Sequence, residues 1–244
     1  MTDDLLLLSN SAAFGRGHLE HAREAIVVFL GAERTIHFAP FALADHAGYT
    51  AGVQAALAPL GVSVVGLHAV QDVRRAIETA TVLFVGGGNT FRLLKALQDR
   101  NLLEPVRRRV IEGTLRYLGV SAGTIMACPS LRTTNDMPIV QPASFQAFGL
   151  IPFQINPHYL DPDPSSRHMG ETREQRLQEF LEDNDVPVLG LREGAWLRRQ
   201  GRSLRLAGQA GARLFQRAMQ PRDVAPESDV SWLLDLPARF DQRA

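Results

Sequence analysis

The chain has 244 residues, 45% of them hydrophobic, which is enough to bury the core of one large α/β domain. Its 26 basic and 26 acidic residues balance, so neither nucleic acid nor an anionic membrane surface is expected as the main partner. The single cysteine, Cys128, excludes an internal disulfide framework and any multi-cysteine metal cluster, and it fits a reducing compartment.

The first half of the chain alternates short apolar runs with helix-length segments. The apolar runs predict β-strands at residues 5–9, 35–39, 63–67, 81–85 and 115–120. Helical spacing predicts helices at residues 19–30, 49–60, 73–80 and 90–112, the last broken near Asn101. This alternation predicts a doubly wound α/β fold, in which a mostly parallel sheet carries helices on both faces.

The second half is less regular. We expect a loop at 132–142, strands at 153–156 and 188–191, a helix at 171–182, and a hairpin turning at Gln200-Gly201. The segment after Met219 is rich in Pro and Asp, which predicts a C-terminal extension at 220–244 on a single α/β domain at 1–219. No apolar run is long enough to span a bilayer and the N-terminus is acidic, so we expect a cytoplasmic protein.

The segment Gly119-Val120-Ser121-Ala122-Gly123 joins a predicted strand to a small-residue helix start. A serine in this G-x-S-x-G pattern lies on a tight turn that lifts its hydroxyl clear of the sheet. The same pentapeptide also occurs in turns without chemistry, so Ser121 needs a base and an orienting acid.

His158 is the best candidate for that base, because it follows a short apolar strand and Pro157 at the edge of the sheet. Two carboxylates compete to orient it. Glu193 follows the strand at 188–191, and Asp136 lies in the loop at 132–142. Spacing leaves the choice open, and either carboxylate could instead bond the backbone of its own turn.

The run Gly86-Gly87-Gly88-Asn89-Thr90 also joins a strand to a helix. It lacks the Gly-Lys-[Ser/Thr] ending of a phosphate-binding loop and the third glycine of a dinucleotide fingerprint. One of its amides and that of Ala122 could together form an oxyanion hole for Ser121. The alternative is a tight turn that binds nothing.

Three further observations limit the chemistry. Cys128 lies beyond the Ser121 turn, which favours a buried thiol over a nucleophile. Arg173 opens a predicted helix, where a surface ion pair is the simpler interpretation than an anion contact. No histidine and carboxylate spacing indicates a metal site, and no cofactor motif is present.

Several long segments together resemble the peptidase E family, the α-aspartyl dipeptidases, which have a flavodoxin-like framework similar to class I glutamine amidotransferases. The matching segments cover about the first 210 residues and are 5–11, 58–62, 85–91, 132–140, 154–158 and 170–176. Departures from the family pattern are Val120 in place of an aromatic residue, a longer loop at 161–169 and an extended C-terminus.

The resemblance implies a serine peptidase that cleaves dipeptides beginning with L-aspartate, with a small peptide as its partner and no cofactor. The implied site residues are Ser121 as nucleophile, His158 as base and acid, Glu193 as orienting acid, Gly88 and Ala122 as oxyanion hole, and Arg173 and Asn89 as substrate contacts. It favours Glu193 over Asp136, which stays a secondary candidate beside the site.

Two other functions stay open from the sequence. One is a related amidohydrolase acting on another aspartate-containing substrate such as cyanophycin. The other is a module that holds a small anion at the glycine run with an inert Ser121. A homodimer is compatible with the sequence but is not indicated by it.

Overall fold

A computed structural model gives the fold of residues 3–13, 15–163, 165, 167 and 169–242. Within these residues the strands are β1 (Asp4–Leu8), β2 (Thr35–Ala39), β3 (Ser63–Gly66), β4 (Val82–Val85), β5 (Arg116–Val120), β6 (Gln154–Tyr159), β7 (Val188–Arg192), β8 (Ala195–Gln200), β9 (Ser203–Gly208), β10 (Ala212–Phe215) and β11 (Arg222–Val224). The α-helices are α1 (Arg23–Leu30), α2 (His46–Leu57), α3 (Val73–Thr79), α4 (Thr90–Asp99), α5 (Leu103–Ile111), α6 (Ala122–Met126) and α7 (Arg173–Asp183). Short 3₁₀ turns lie at Glu20–Ala22, Ala58–Leu60 and Ser231–Asp235.

The main sheet has seven strands in the order β3-β2-β4-β5-β1-β8-β9. The first five are parallel, whereas β8 runs antiparallel to β1 and pairs with β9 as a hairpin. Parallel strands separated by helical crossovers place their carboxyl ends along one edge, where sites form in open α/β sheets. The turns that follow β1, β4 and β5 therefore meet at that edge.

Helices cover both faces of the main sheet because its strands are apolar on both sides. On β1, Leu5 and Leu7 pack into one core cluster with side chains of α4, α5 and α6. Leu6 and Leu8 pack into the opposite cluster with side chains of α1 and α2. Such continuous apolar strands are typical of parallel sheets buried on both faces.

A second, four-stranded sheet has the order β11-β10-β7-β6. Its strands β6 and β7 are parallel, and β7 passes directly into β8 of the main sheet. The turn between β7 and β8 therefore joins the two sheets next to the carboxyl end of β1, where Ser9 donates its N–H to the carbonyl of Ala195 at 3.1 Å.

The predicted α/β class is confirmed, with small differences in element bounds. The predicted helix at 90–112 breaks as expected, since Asn101 has a positive φ of 53° between α4 and α5. The strand predicted to end at residue 156 instead continues through Pro157 to Tyr159. The sequence did not indicate a separate second sheet.

The division of the chain at residue 219 stays a prediction. Beyond it, β11 pairs with β10, and Val230 and Leu233 are buried in the same core cluster as Leu5. In the part of the chain described by the structure, no helix combines the length and apolar character needed to cross a membrane.

Candidate active site

Ser121 lies between β5 and α6 in a strained backbone conformation, with φ 52° and ψ −109°. Positive φ is uncommon for a residue other than glycine and typical of a nucleophile turn. Its backbone N–H donates to the carbonyl of Leu8 at the end of β1, at 3.0 Å. The turn therefore holds the Ser121 hydroxyl at the carboxyl edge of the main sheet.

His158 reaches Ser121 from the second sheet. The pairing of β6 with β7 shifts register between Pro157 and Tyr159, so His158 occupies a bulge, and its φ is 52°. A bulge re-aims one side chain out of the regular alternation of a strand. As a result, His158 Nε2 lies 2.9 Å from Ser121 Oγ.

Glu193 lies in the turn between β7 and β8, and its Oε1 is 2.6 Å from His158 Nδ1. In the tautomer that satisfies both contacts, Nδ1 donates to Glu193 and Nε2 accepts the proton of the Ser121 hydroxyl. The His158 and Glu193 side chains are 38% and 53% exposed. The three side chains thus form one chain of hydrogen bonds that is open to solvent and to a substrate.

Asp136 lies apart from that chain. Its Oδ2 accepts hydrogen bonds from the backbone N–H of Thr90 at 2.7 Å and from the Thr90 hydroxyl at 2.5 Å. The structure therefore brings Glu193, and not Asp136, to the imidazole of His158. Asp136 instead ties the loop at 132–142 to the first turn of α4.

The glycine run after β4 passes close to Ser121. A Cβ placed on Gly87 would lie 3.1 Å from Ser121 Cβ, so a side chain there would crowd the nucleophile. Gly88 has φ 128°, and a Cβ on it would lie 2.8 Å from the carbonyl oxygen of Ala42. The glycines therefore permit an approach that other residues would block.

This approach brings unused amide donors near Ser121. The N–H of Gly87 donates to the Tyr49 hydroxyl at 2.8 Å. The N–H groups of Gly88 and of Ala122, the first residue of α6, have no acceptor among the described residues. Free backbone N–H groups on two sides of a nucleophile are what an oxyanion hole requires.

Asn89 uses its side chain within the protein. Its Oδ1 caps α4 by accepting from the N–H of Arg92 at 3.0 Å, and its Nδ2 donates to the carbonyl of Met137 at 2.9 Å. These bonds fix the glycine run against the loop at 132–142. A substrate contact by Asn89 stays a prediction.

Arg173 is the first residue of α7, whose N-terminus is closed by a capping box between Thr172 and Gln175. Among the described residues, no hydrogen bond or ion pair occupies its guanidinium. Burial and the neighbouring Arg176 lower the pKa of Arg173, while the carboxylates of Glu193 and Asp136 act in the opposite direction. Arg173 is therefore a half-buried cation whose pKa responds to the charges of both carboxylates.

Cys128 is fully buried behind the site, where its sulfur accepts the N–H of Ile155 at 3.2 Å. Burial raises the pKa of the Cys128 thiol to about 12. The described residues contain no group of three or more His, Cys, Asp or Glu side chains that could hold a metal ion. A buried thiol with a raised pKa does not fit a cysteine nucleophile.

We expect native Cys128 to resist thiol reagents. At pH 8 a thiol with a pKa of about 12 holds roughly one thiolate in 10⁴ molecules, and thiolate is the reactive form. Titration with a chromogenic disulfide should release no thiol from the folded protein and one equivalent after unfolding in guanidinium chloride. Iodoacetamide at pH 8 should leave Cys128 of the folded protein unmodified, and rapid alkylation of Cys128 would contradict its assignment as a buried, unreactive thiol.

Three residues near the site were missed by sequence reasoning. Ser9 and Asn10 are buried side chains at the end of β1, and the Tyr49 hydroxyl holds Gly87. The signal for the first two was available, because a polar Ser-Asn pair directly follows the apolar run of β1. Nothing local marks Tyr49, which lies on α2.

Comparison with known proteins identifies the family of this chain. Residues 5–207 match the family described as Peptidase family S51. Peptidase E of Streptomyces coelicolor (strain ATCC BAA-471 / A3(2) / M145) is 58% identical over 238 residues, which cover 98% of this chain and 98% of that protein. A Drosophila melanogaster protein named "Probable alpha-aspartyl dipeptidase" is 49% identical over 233 residues, covering 95% of this chain and 97% of that protein.

A solved structure shares the fold. The crystal structure of a peptidase from an acI-B1 Actinobacterium matches with a TM-score of 0.67 at 13% identity, covering 94% of this chain and 97% of that one. The resemblance to peptidase E stated from the sequence is confirmed by the family match and by the relatives. Because that match spans most of the chain, the protein belongs to peptidase family S51.

Proposed function

We propose that this protein is a serine dipeptidase that hydrolyses the peptide bond after an N-terminal L-aspartate. The observation that carries the proposal is the hydrogen-bonded chain from Ser121 through His158 to Glu193. The name of one relative supplies the substrate class, since the Drosophila melanogaster protein is named "Probable alpha-aspartyl dipeptidase".

In the first half of the reaction, Ser121 Oγ attacks the carbonyl carbon of the aspartyl residue as His158 Nε2 takes the hydroxyl proton. The resulting oxyanion accepts hydrogen bonds from the N–H groups of Gly88 and Ala122. Glu193 stabilises the imidazolium through Nδ1. Collapse of the intermediate breaks the C–N bond, and His158 returns its proton to the leaving amine, which departs as the second amino acid.

In the second half, water attacks the aspartyl ester on Ser121. His158 takes a proton from that water, and the same amides bind the second oxyanion. Collapse releases aspartate and returns the proton to Ser121 Oγ, so the enzyme is regenerated. Removal of one donor of this type typically lowers kcat by about 10²- to 10³-fold.

Arg173 supplies the specificity in this proposal. A half-buried guanidinium with no partner in the described structure is suited to the side-chain carboxylate of the N-terminal aspartate. Arginine presents parallel N–H donors that match a carboxylate better than the neutral amide of asparagine. The site should therefore distinguish Asp from Asn although the two side chains have nearly the same shape.

The direct test is hydrolysis of Asp-Leu, Asn-Leu, Glu-Leu and Ala-Leu by the purified protein without added metal. We expect kcat/KM for Asp-Leu to exceed that for Asn-Leu by at least about 10²-fold, because Asn-Leu leaves the charge of Arg173 unpaired. Equal rates on all four dipeptides would contradict the specificity. Release of products only from an aspartate-containing polymer would point to the cyanophycinase-like alternative.

A cytoplasmic location belongs to the same proposal. The single cysteine is a buried free thiol, as expected in a reducing compartment. Small peptides produced by general proteolysis are the class of substrate available there. Fractionation of cells that express the native chain should recover the Asp-Leu hydrolase activity with cytoplasmic markers.

A further inference from the structure

Leu8 at the end of β1 and the two residues after it each accept a backbone N–H at or next to one member of the Ser121–His158–Glu193 chain. The carbonyl of Leu8 accepts the N–H of Ser121 at 3.0 Å. The hydroxyl of Ser9 accepts the N–H of His158 at 2.9 Å. The side-chain Oδ1 of Asn10 accepts the N–H of Gly194, the residue after Glu193, at 2.8 Å.

The bulge in β6 explains why a hydroxyl is needed here. His158 has no register partner on β7, so its N–H is lost from the ladder between the two strands. Leu191 on β7 registers with Pro157, and in a regular parallel ladder its carbonyl would accept the N–H of the residue that follows Pro157, which is the displaced His158. A buried donor and a buried acceptor are therefore left side by side, and each is costly unless it is paired.

The hydroxyl of Ser9 forms hydrogen bonds with both the N–H of His158 and the carbonyl of Leu191. Its Oγ accepts from His158 N–H and donates to the carbonyl of Leu191 at 2.8 Å. Ser9 is 0% exposed, so water cannot take over either contact. Its own N–H donates to Ala195 on β8, which fixes its backbone on the main sheet. The hydroxyl thus replaces a missing ladder bond and connects the bulge to the sheet that carries Ser121.

We propose that Ser9 is a positioning residue. Its hydroxyl holds the backbone of His158 in the bulged position from which Nε2 can hydrogen-bond to Ser121 Oγ. Without it, the strained φ of 52° at His158 loses its restraint and the imidazole can withdraw toward a regular strand. A displacement of about 1 Å in a catalytic group can lower rate by about 10²-fold. The inference rests on the proposed roles of Ser121 and His158, but not on the identity of the substrate.

The test compares Ser9→Ala with Ser231→Ala as a matched control. Ser231 also bridges backbone groups, since its hydroxyl accepts the N–H of Leu204 at 2.8 Å and donates to that residue's carbonyl at 3.4 Å. It lies beside β9, away from the site. The readout is the rate of Ser121 labelling by diisopropyl fluorophosphate, which needs a nucleophilic serine and no aspartate pocket.

We expect Ser9→Ala to slow labelling about 30- to 100-fold and to lower kcat for Asp-Leu by a similar factor with KM changed less than about threefold. Ser231→Ala should label at the wild-type rate, and Ser9→Thr should recover most of the loss because it keeps the hydroxyl. Labelling of folded Ser9→Ala within threefold of wild type would overturn the inference.

If Ser9→Ala does not fold, Ser9→Cys decides in its place, because sulfur hydrogen-bonds only weakly. A tenfold or larger loss of labelling would support the inference, and a rate close to wild type would overturn it. Failure of the wild type to cleave Asp-Leu would count against the proposed function alone, since the labelling comparison would still measure the effect of Ser9.

Discussion

Ser121→Ala is expected to lower kcat/KM for Asp-Leu by at least about 10⁴-fold, which is the scale seen when a serine nucleophile is removed. The reason is geometric. His158 Nε2 lies 2.9 Å from the Ser121 hydroxyl, and the thiol of the single cysteine, Cys128, is buried and cannot take the place of that hydroxyl. The amides of Gly88 and Ala122 remain, so a residual rate above that in water should persist.

The measurement is steady-state hydrolysis together with labelling by diisopropyl fluorophosphate. Ser63→Ala is the matched control, because Ser63 is an exposed residue on the edge strand β3. We expect full activity and one label per chain for the control, and no label for Ser121→Ala. The melting temperatures of the two variants should stay within a few degrees of wild type. Turnover by Ser121→Ala above one tenth of wild type would exclude Ser121 as the nucleophile.

Much of the main sheet was predictable because its information is local. Residues 5–8 are four consecutive leucines flanked by polar positions, and the segments that became α2, α3 and α4 carry their own cap residues in Asp45, Asp72 and Asn89. The Ser121 turn was visible for the same reason. An apolar run followed by a serine with a glycine two residues to each side is the local pattern that predicts a strand-to-helix nucleophile turn.

The second sheet and the choice of acid depend on contacts that no local pattern contains. Strands β6 and β7 are separated by α7, and the bulge at His158 exists only because of its pairing with β7. Asp136 and Glu193 could not be separated by sequence, since each is a carboxylate that could equally bond the backbone of its own turn. Only the tertiary fold places Glu193 2.6 Å from His158 and Asp136 on Thr90.

The environment of Arg173 could not be predicted from the charges near it in the sequence. From the residues alone a surface ion pair was the simpler interpretation, because Arg173 opens a predicted helix and the acidic Glu171 and Glu174 lie within two residues of it. In the structure those neighbours have other partners, since Arg176 lies 3.5 Å from Glu171, and Glu174 pairs with Arg213 at 2.8 Å. The charge pattern of the sequence shows which ion pairs could form on this helix, whereas the packing of the folded chain decides which pairs do form.

Arg173→Met is expected to abolish the preference for aspartate while sparing the chemistry. The change keeps much of the apolar stem and removes the charge, so kcat/KM for Asp-Leu should fall by about 10²- to 10³-fold. Hydrolysis of Ala-Leu should change less than about threefold, because Ser121, His158 and Glu193 do not depend on the guanidinium. Labelling of Ser121 by diisopropyl fluorophosphate should also stay at the wild-type rate.

The matched control is Arg176→Met, one turn further along α7. Arg176 is 59% exposed, and its ion pair with Glu171 is open to solvent, so its loss should leave Asp-Leu hydrolysis unchanged.

Removal of Arg173 should also raise the melting temperature slightly, because burial and the repulsion of Arg176 already lower the pKa of Arg173. A cation that destabilises the free protein but is needed for one class of substrate is one placed for binding. A fall in melting temperature with undiminished selectivity for Asp-Leu over Asn-Leu would instead assign Arg173 to the fold.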